Sequence, residues 1–202
     1  PRARALELAC AEGHFTRQLA PRVGSLVAAD ISRVALGRAA ARCADLANVS
    51  FARLDLARDA LPGGFDLIVC SEVLYYMGDR DALAAVAGRM AAALAPGGWL
   101  VTAHANTVVD APEETGFDWP VEYGARTIGE TFAAIPGIRF ERELRTPLYR
   151  IQLFRRETAA AREPRRISLA ALGASPAVRE VERARVDQDC GVQLVFVCGD
   201  AG

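Results

Sequence analysis

Ala5-Leu-Glu-Leu-Ala-Cys-Ala-Glu-Gly-His-Phe-Thr16 is the stretch that decides the fold. It reads as a short buried strand, a tight turn and the start of a helix. Ala5, Leu6 and Leu8 supply the apolar run. Ala9, Ala11 and Gly13 place small residues at alternate positions, where the backbone must turn and a ligand can approach closely. A second strand, Ser25 to Asp30, ends in an acid 17 residues after Gly13. Strand, small-residue turn, helix, then an acid closing the next strand is the layout of a nucleoside-binding βαβ unit. The acid there receives two ribose hydroxyls.

The spacing narrows the nucleoside. Small residues at 9, 11 and 13 give x-G-x-G-x-G spacing with alanine at the first two positions. A dinucleotide site has G-x-G-x-x-G and must seat a pyrophosphate on the helix N-terminus. Here the helix start carries Glu12 and His14, with no Lys or Arg before Arg17. A ligand without phosphates fits better, and S-adenosylmethionine is such a ligand: adenosine at one end, a zwitterionic amino acid at the other. Gly13 is the glycine expected to be irreplaceable.

Strand and helix signals then alternate, which predicts a parallel sheet covered on both faces. Strands are expected at Ala5 to Ala9, Ser25 to Ala29, Val49 to Leu54, Phe65 to Cys70 and Trp99 to Ala103. Helices are expected at about Gly13 to Leu19, Ser32 to Cys43 and Asp79 to Leu94. Ser32 reads as an N-cap, and Val34, Leu36, Ala39, Ala40 and Cys43 fall on or near one stripe. Pro62-Gly63-Gly64 is a turn, and Pro96-Gly97-Gly98 stops the third helix. Thr127 is expected to cap a helix to about Ala134. Ile138 to Arg145 and Tyr149 to Arg155 alternate apolar and polar residues, as an antiparallel pair turning at Pro147.

Composition bounds the function. The chain has 202 residues, a net charge of −1 and no cationic excess for nucleic acid or an anionic membrane. No apolar run reaches the ~20 residues that span a bilayer, and no secretory signal is expected. Five cysteines (10, 43, 70, 190 and 198) include no C-x-x-C pair, and two histidines are scattered. That predicts a reduced cytoplasmic protein with no metal site. The chain lacks an initiator Met and begins almost on its first strand, so a preceding N-terminal segment is expected.

Glu-Leu-Ala-Cys-Ala-Glu-Gly13, Ala-Ala-Asp-Ile-Ser32, Phe-Asp-Leu-Ile-Val-Cys-Ser-Glu-Val-Leu-Tyr-Tyr76 and Leu-Ala-Pro-Gly-Gly-Trp-Leu-Val101 occur in that order. They resemble the successive motifs of class I S-adenosylmethionine-dependent methyltransferases. Ser-Glu-Val-Leu-Tyr-Tyr is most similar to the nodulation N-methyltransferase (nodulation protein S) group. The resemblance runs from Ala5 to about Arg156. It departs at Ala9 and Ala11, where most members have glycine.

The resemblance implies an α/β, Rossmann-like fold: a mostly parallel seven-stranded sheet, helices on both faces and a final antiparallel hairpin. It implies a methyltransferase domain over 1–156, followed by a C-terminal appendage over 157–202. Glu7 and the turn from Ala9 through Ala11 to Gly13 would face the methionine end of S-adenosylmethionine. Asp30 would take the ribose hydroxyls, with Ile31 against the adenine and Asp55 and Leu56 at its edge. Ser71 would line the cofactor's underside, with Glu72 and Tyr75 near the methyl group. S-adenosylhomocysteine is the implied product, and an amino sugar or other carbohydrate the implied small-molecule acceptor, methylated at nitrogen or oxygen.

Methyl transfer needs a base only where the acceptor rests protonated. His104, at the end of the fifth strand, is the leading candidate, with Tyr75 and Glu72 beside it. Asn106, Asp118, Trp119 and Tyr123 are substrate-wall candidates, because carboxylates, amides and aromatic faces suit sugars and amines. Glu113 and Glu114 read as a solvated pair. A catalytically silent cofactor-binding subunit and a nucleotide-cofactor oxidoreductase are the competing readings. The tail is expected to form a helix from Ser175 to about Val186 and an apolar strand, Gly191 to Cys198, that must pair, with a second copy among its candidate partners.

Overall fold

The computed structural model describes residues 3–158. The tail helix and strand expected beyond Ser175, with Cys190 and Cys198, lie outside the described residues.

The elements alternate as the pattern predicts: β1 (Arg4–Leu8), α1 (His14–Leu19), β2 (Ser25–Asp30), α2 (Arg33–Arg42), β3 (Val49–Arg53), β4 (Phe65–Ser71), α3 (Arg80–Ala93), β5 (Leu94–Ala105), α4 (Ala125–Ala133), β6 (Ile138–Arg145) and β7 (Tyr149–Arg156). They form one seven-stranded sheet in the order β3-β2-β1-β4-β5-β7-β6. The first five strands pair in parallel, and β7 runs antiparallel between β5 and β6. This is the Rossmann-like α/β sheet with a closing hairpin. Strand order reverses between β1 and β4, and ligands of open α/β sheets bind at that edge.

Alternation along the strands divides the core. Ile68, Cys70, Leu100 and Phe154 point to one face and pack with Leu83, Val86 and Met90 of α3 and Ile128 and Phe132 of α4. Ala5, Leu26, Val69 and Val101 point to the other and pack with Leu19 of α1. A strand buried on both faces must be apolar at successive positions, which is why β4 reads as a near-continuous run.

Local signals set the ends. Ser32 Oγ accepts from Ala35 N–H at 3.2 Å, and Asp79 Oδ1 accepts from Ala82 N–H at 2.8 Å, capping α2 and α3. On α2 the expected inner stripe is narrower: Ala39 and Cys43 are buried, whereas Val34 and Ala40 are exposed. Strand β5 begins earlier than Pro96-Gly97-Gly98 suggests. Leu94 already pairs with Phe65, the chain bulges over 95–98, and regular pairing resumes with Trp99 opposite Leu67. Gly98 is required there, since a Cβ would meet Phe65 O at 2.8 Å. Thr127 lies within the first turn of α4 rather than at its cap. Asp110, 17 residues upstream, does the capping: its Oδ2 accepts from Thr127 N–H at 3.0 Å. Gly124, at the N-cap position, has no side chain to do so.

Candidate active site

The turn after β1 is built on positive backbone angles. Ala9, Ala11 and Gly13 have φ of 58°, 47° and 78°. The two alanines thus adopt the left-handed conformation that glycine would take without a Cβ penalty. Gly13 has a second reason to be glycine: a Cβ would lie 2.9 Å from Ala39 Cβ. Ala11 N–H donates to Asp30 Oδ2 at 2.9 Å, and Ser32 N–H donates to Oδ1 at 2.8 Å. The carboxylate is therefore locked in place, with lone-pair capacity left on each oxygen. Ile31, beside it, is 54% exposed. Glu7 is 4% exposed, and its Oε2 has no hydrogen-bond partner among the described residues. Burial raises its pKa to about 7, with the Thr16 hydroxyl pulling the other way.

Further along the edge, Asp55 Oδ1 accepts from Ala57 N–H at 3.0 Å and Oδ2 lies 3.8 Å from Arg58. Leu56 is buried, and its carbonyl accepts from Arg89 at 2.7 Å. Ser71 Oγ donates to Ala103 O at 3.2 Å, tying the ends of β4 and β5 together.

Glu72, the next residue, also has left-handed backbone, φ 55°. Its N–H donates to Ala103 O at 3.0 Å. Its side chain is open to solvent on one side, while the protein around it withdraws enough water to raise the carboxyl above the usual range. Tyr75 O–H donates to that carboxylate and accepts from Ala105 N–H at 3.3 Å. Burial and the neighbouring Glu72 push the Tyr75 phenol up, so it keeps its proton. Tyr75 is buried and Tyr76 exposed, as adjacent residues must divide.

Aromatic rings adjoin Tyr75. Trp119 stacks on Phe117 at 4.5 Å between centroids and meets Tyr75 edge-on at 5.8 Å. Phe117 meets Tyr149 at 5.9 Å. Tyr149 opens β7 opposite Ala105, and burial together with the Glu72 charge raises its pKa. Phe117 and Tyr149 escaped the sequence reading. The available signal was weak: each is one aromatic in a loop or at a strand start, and only the antiparallel course of β7 brings Tyr149 here.

Three expected site residues are placed differently. His104 is 1% exposed, its Nε2 accepts from Leu74 N–H at 3.2 Å, and burial lowers its pKa to about 3. Its proton therefore sits on Nδ1, and no lone pair is free to act as a base. Tyr123 is fully buried, and its hydroxyl donates to Leu74 O at 3.1 Å, so it props the segment carrying Tyr75 instead of lining a wall. Asn106 is 4% exposed and spends its amide internally: Nδ2 donates to Thr146 O and Pro147 O, each at 3.2 Å, and Oδ1 accepts from Arg150 at 3.1 Å. Asp118 is exposed beside Trp119. Glu114 is no solvated partner of Glu113, because it binds Arg126, Arg145 and Arg150 together.

A family model described as Nodulation protein S (NodS) matches residues 2–133. The chain belongs to the NodS family. It is 41% identical to nodulation protein S of Rhizobium tropici over 101 residues, 50% of this chain and 42% of that protein. It is 33% identical to nodulation protein S of Bradyrhizobium diazoefficiens over 126 residues, 62% of this chain and 57% of that protein. The chain thus spans about half the length of these curated relatives. Among solved structures, N-methyltransferase NodS from Bradyrhizobium japonicum WM9, in complex with S-adenosyl-L-homocysteine, superposes with a TM-score of 0.67 at 30% identity, over 77% of this chain and 78% of that one. No helix among the described residues is long and apolar enough to cross a membrane.

Proposed function

We propose that this chain is the core of an S-adenosylmethionine-dependent N-methyltransferase whose acceptor is an amine on a small molecule, with amino sugars as the leading class. The observation that carries this reading is the setting of Glu72, a carboxylate held in left-handed backbone and bonded to Tyr75, whose ring meets Trp119 at the start of a cluster continuing through Phe117 to Tyr149. The solved NodS relative, named an N-methyltransferase and crystallised with S-adenosyl-L-homocysteine, supports both the cofactor and the choice of nitrogen over oxygen.

The residues at the β1–β2 edge fit the cofactor. Asp30, with acceptor capacity left on both oxygens, suits two ribose hydroxyls. The exposed face of Ile31 suits an adenine, and the unpartnered Oε2 of Glu7 suits an ammonium donor. The turn keeps glycine-like geometry with alanine at 9 and 11, which favours an active enzyme over a silent cofactor-binding subunit. When bound, S-adenosylmethionine supplies an electrophilic methyl group on a sulfonium.

An acceptor amine rests as an ammonium and must lose a proton before its lone pair can react. Glu72 takes that proton: it is reachable from solvent, unlike His104, and its raised pKa makes it a better base than an ordinary carboxylate. Tyr75, holding its own proton, orients the Glu72 carboxylate. The Phe117–Trp119 stack and Tyr149 give an apolar face to a sugar ring and keep water from the reacting nitrogen. Nothing in this assignment needs a membrane or nucleic acid, and a cytoplasmic location is part of the proposal.

The test is calorimetric titration with S-adenosylmethionine and S-adenosylhomocysteine, beside Asp30→Ala. Labelled methyl transfer to glucosamine and its oligomers is then measured against their N-acetylated forms. Binding lost in Asp30→Ala and transfer to free amines alone are expected. Glu72→Gln is expected to bind cofactor and to lose about 100-fold or more in rate. It is also expected to lose the limb on which the parent's rate climbs as the carboxyl deprotonates. A parent that binds neither ligand, or an unchanged rate in Glu72→Gln, overturns the reading.

A further inference from the structure

The 106–123 loop carries Phe117 and Trp119, and one carboxylate within it has more ionic partners than the wall it supports requires. Glu114 Oε1 accepts from Arg126 of α4 at 2.8 Å, and Oε2 accepts from Arg150 of β7 at 2.9 Å and from Arg145 at the end of β6. Arg150 passes the connection on, since its Nε donates to Asn106, whose amide holds the carbonyls of Thr146 and Pro147. The hairpin tip so held leads directly into Tyr149. Glu114 therefore sits where the loop, α4 and the hairpin meet.

The charges make this more than packing. Three guanidiniums converge on one carboxylate, and Arg150 is 91% buried at its side chain (9% exposed). Burial and the proximity of Arg150 lower the pKa of Arg145, the direction expected of cations crowding one another. Glu113 pairs with Arg126 and acts on Arg145 from farther off, and Glu143 reaches Arg150 at 3.8 Å from the far side. Without Glu114, Arg126 of α4 faces Arg145 and Arg150 of the hairpin, with Glu113 and Glu143 left to offset them. A polar cleft already separates them, lined by Asn106, Glu114, Thr115, Arg145, Thr146 and Pro147.

We propose that Glu114 is a positioning residue that, by bridging Arg126, Arg145 and Arg150, holds the 106–123 loop against the β6–β7 hairpin and so fixes the Phe117–Trp119 wall beside Tyr75. Its bearing on acceptor binding rests on the function proposed above, but the position of the wall can be read without any acceptor.

The chain has two tryptophans, Trp99 and Trp119. In a Trp99→Phe background, emission reports on Trp119 alone. Glu114→Gln is expected to red-shift that emission and increase its quenching by acrylamide. The double variant Glu114→Gln/Arg145→Gln, which removes one of the repelling charges, is expected to return both toward the parent values. Titration with S-adenosylhomocysteine is expected to be the same in all three. Unchanged emission in Glu114→Gln overturns the proposal, as does a shift that the second substitution fails to reverse, since a packing defect is not repaired by deleting another side chain. Failure of the parent to bind S-adenosylhomocysteine instead counts against the function and leaves the Trp119 comparison intact.

Discussion

Glu7 turns burial into pH dependence. Folded, it holds its proton up to about pH 7, whereas its ordinary value is 4.5. Between these limits the folded chain binds more protons than the unfolded one, so stability falls as pH rises through the window, by about 3 kcal/mol. Glu7→Gln is expected to remove that slope, so its melting temperature gains on the parent's between pH 5 and pH 8. A constant offset across that range refutes the assignment. Ala9 and Ala11 store strain of another kind. A left-handed alanine costs about 1–2 kcal/mol, and glycine gives back part of that relief through the entropy of its unfolded chain. Replacing both by glycine is expected to stabilise the protein by roughly 1 kcal/mol, read from urea midpoints. The place of Asp30 at the end of β2, against the small-residue turn, was legible because an apolar run closed by an acid marks a strand end. His104 was misread for a reason inherent in sequence: a histidine closing a strand looks the same whether its ring faces a pocket or, as here, accepts a buried backbone N–H.

Among the elements, the junction of β1, α1 and α2 is the least forgiving. Gly13→Ala combines φ of 78° with a Cβ only 2.9 Å from Ala39. The substitution is expected to cost about 2–3 kcal/mol by chemical denaturation, well beyond the strain borne by Ala9 or Ala11. A loss below that of a simple left-handed alanine would mean that α2 yields. Element existence and order were legible because β1, β2 and β4 are apolar runs closed by turn residues. Where elements begin was less so. Pro96-Gly97-Gly98 carries every mark of a stop, yet Leu94 has already joined the sheet, because a bulge accommodates the turn within the strand. The cap of α4 could not be found by local inspection, since it comes from Asp110 across a loop. Glu113 and Glu114 looked alike, and only the folded hairpin brings Arg145 and Arg150 to one of them.

For the whole molecule, the strand order predicts a gradient of protection. β1, β4 and β5 are flanked on both sides, whereas among the described residues β3 and β6 each have one neighbour. Native-state hydrogen exchange is expected to be slowest in Leu6, Ile68 and Leu100, all fully buried, and faster along β3 and β6, where Phe140 and Leu144 stand exposed. Equal protection across the sheet would contradict this. The overall architecture was legible because alternation of strands and helices leaves few topologies; the acceptor side was not, because its rings come from three separate stretches. The reversed course of β7 has a consequence of its own. Asp30 and Ser71 come from where a strand ends, but Tyr149 comes from where one begins, directly after the hairpin tip at 146–148. The tip is thus a detachable cassette: on the function proposed above, exchanging it is expected to change acceptor preference and leave cofactor affinity, which that proposal assigns to the β1–β2 edge, unaltered.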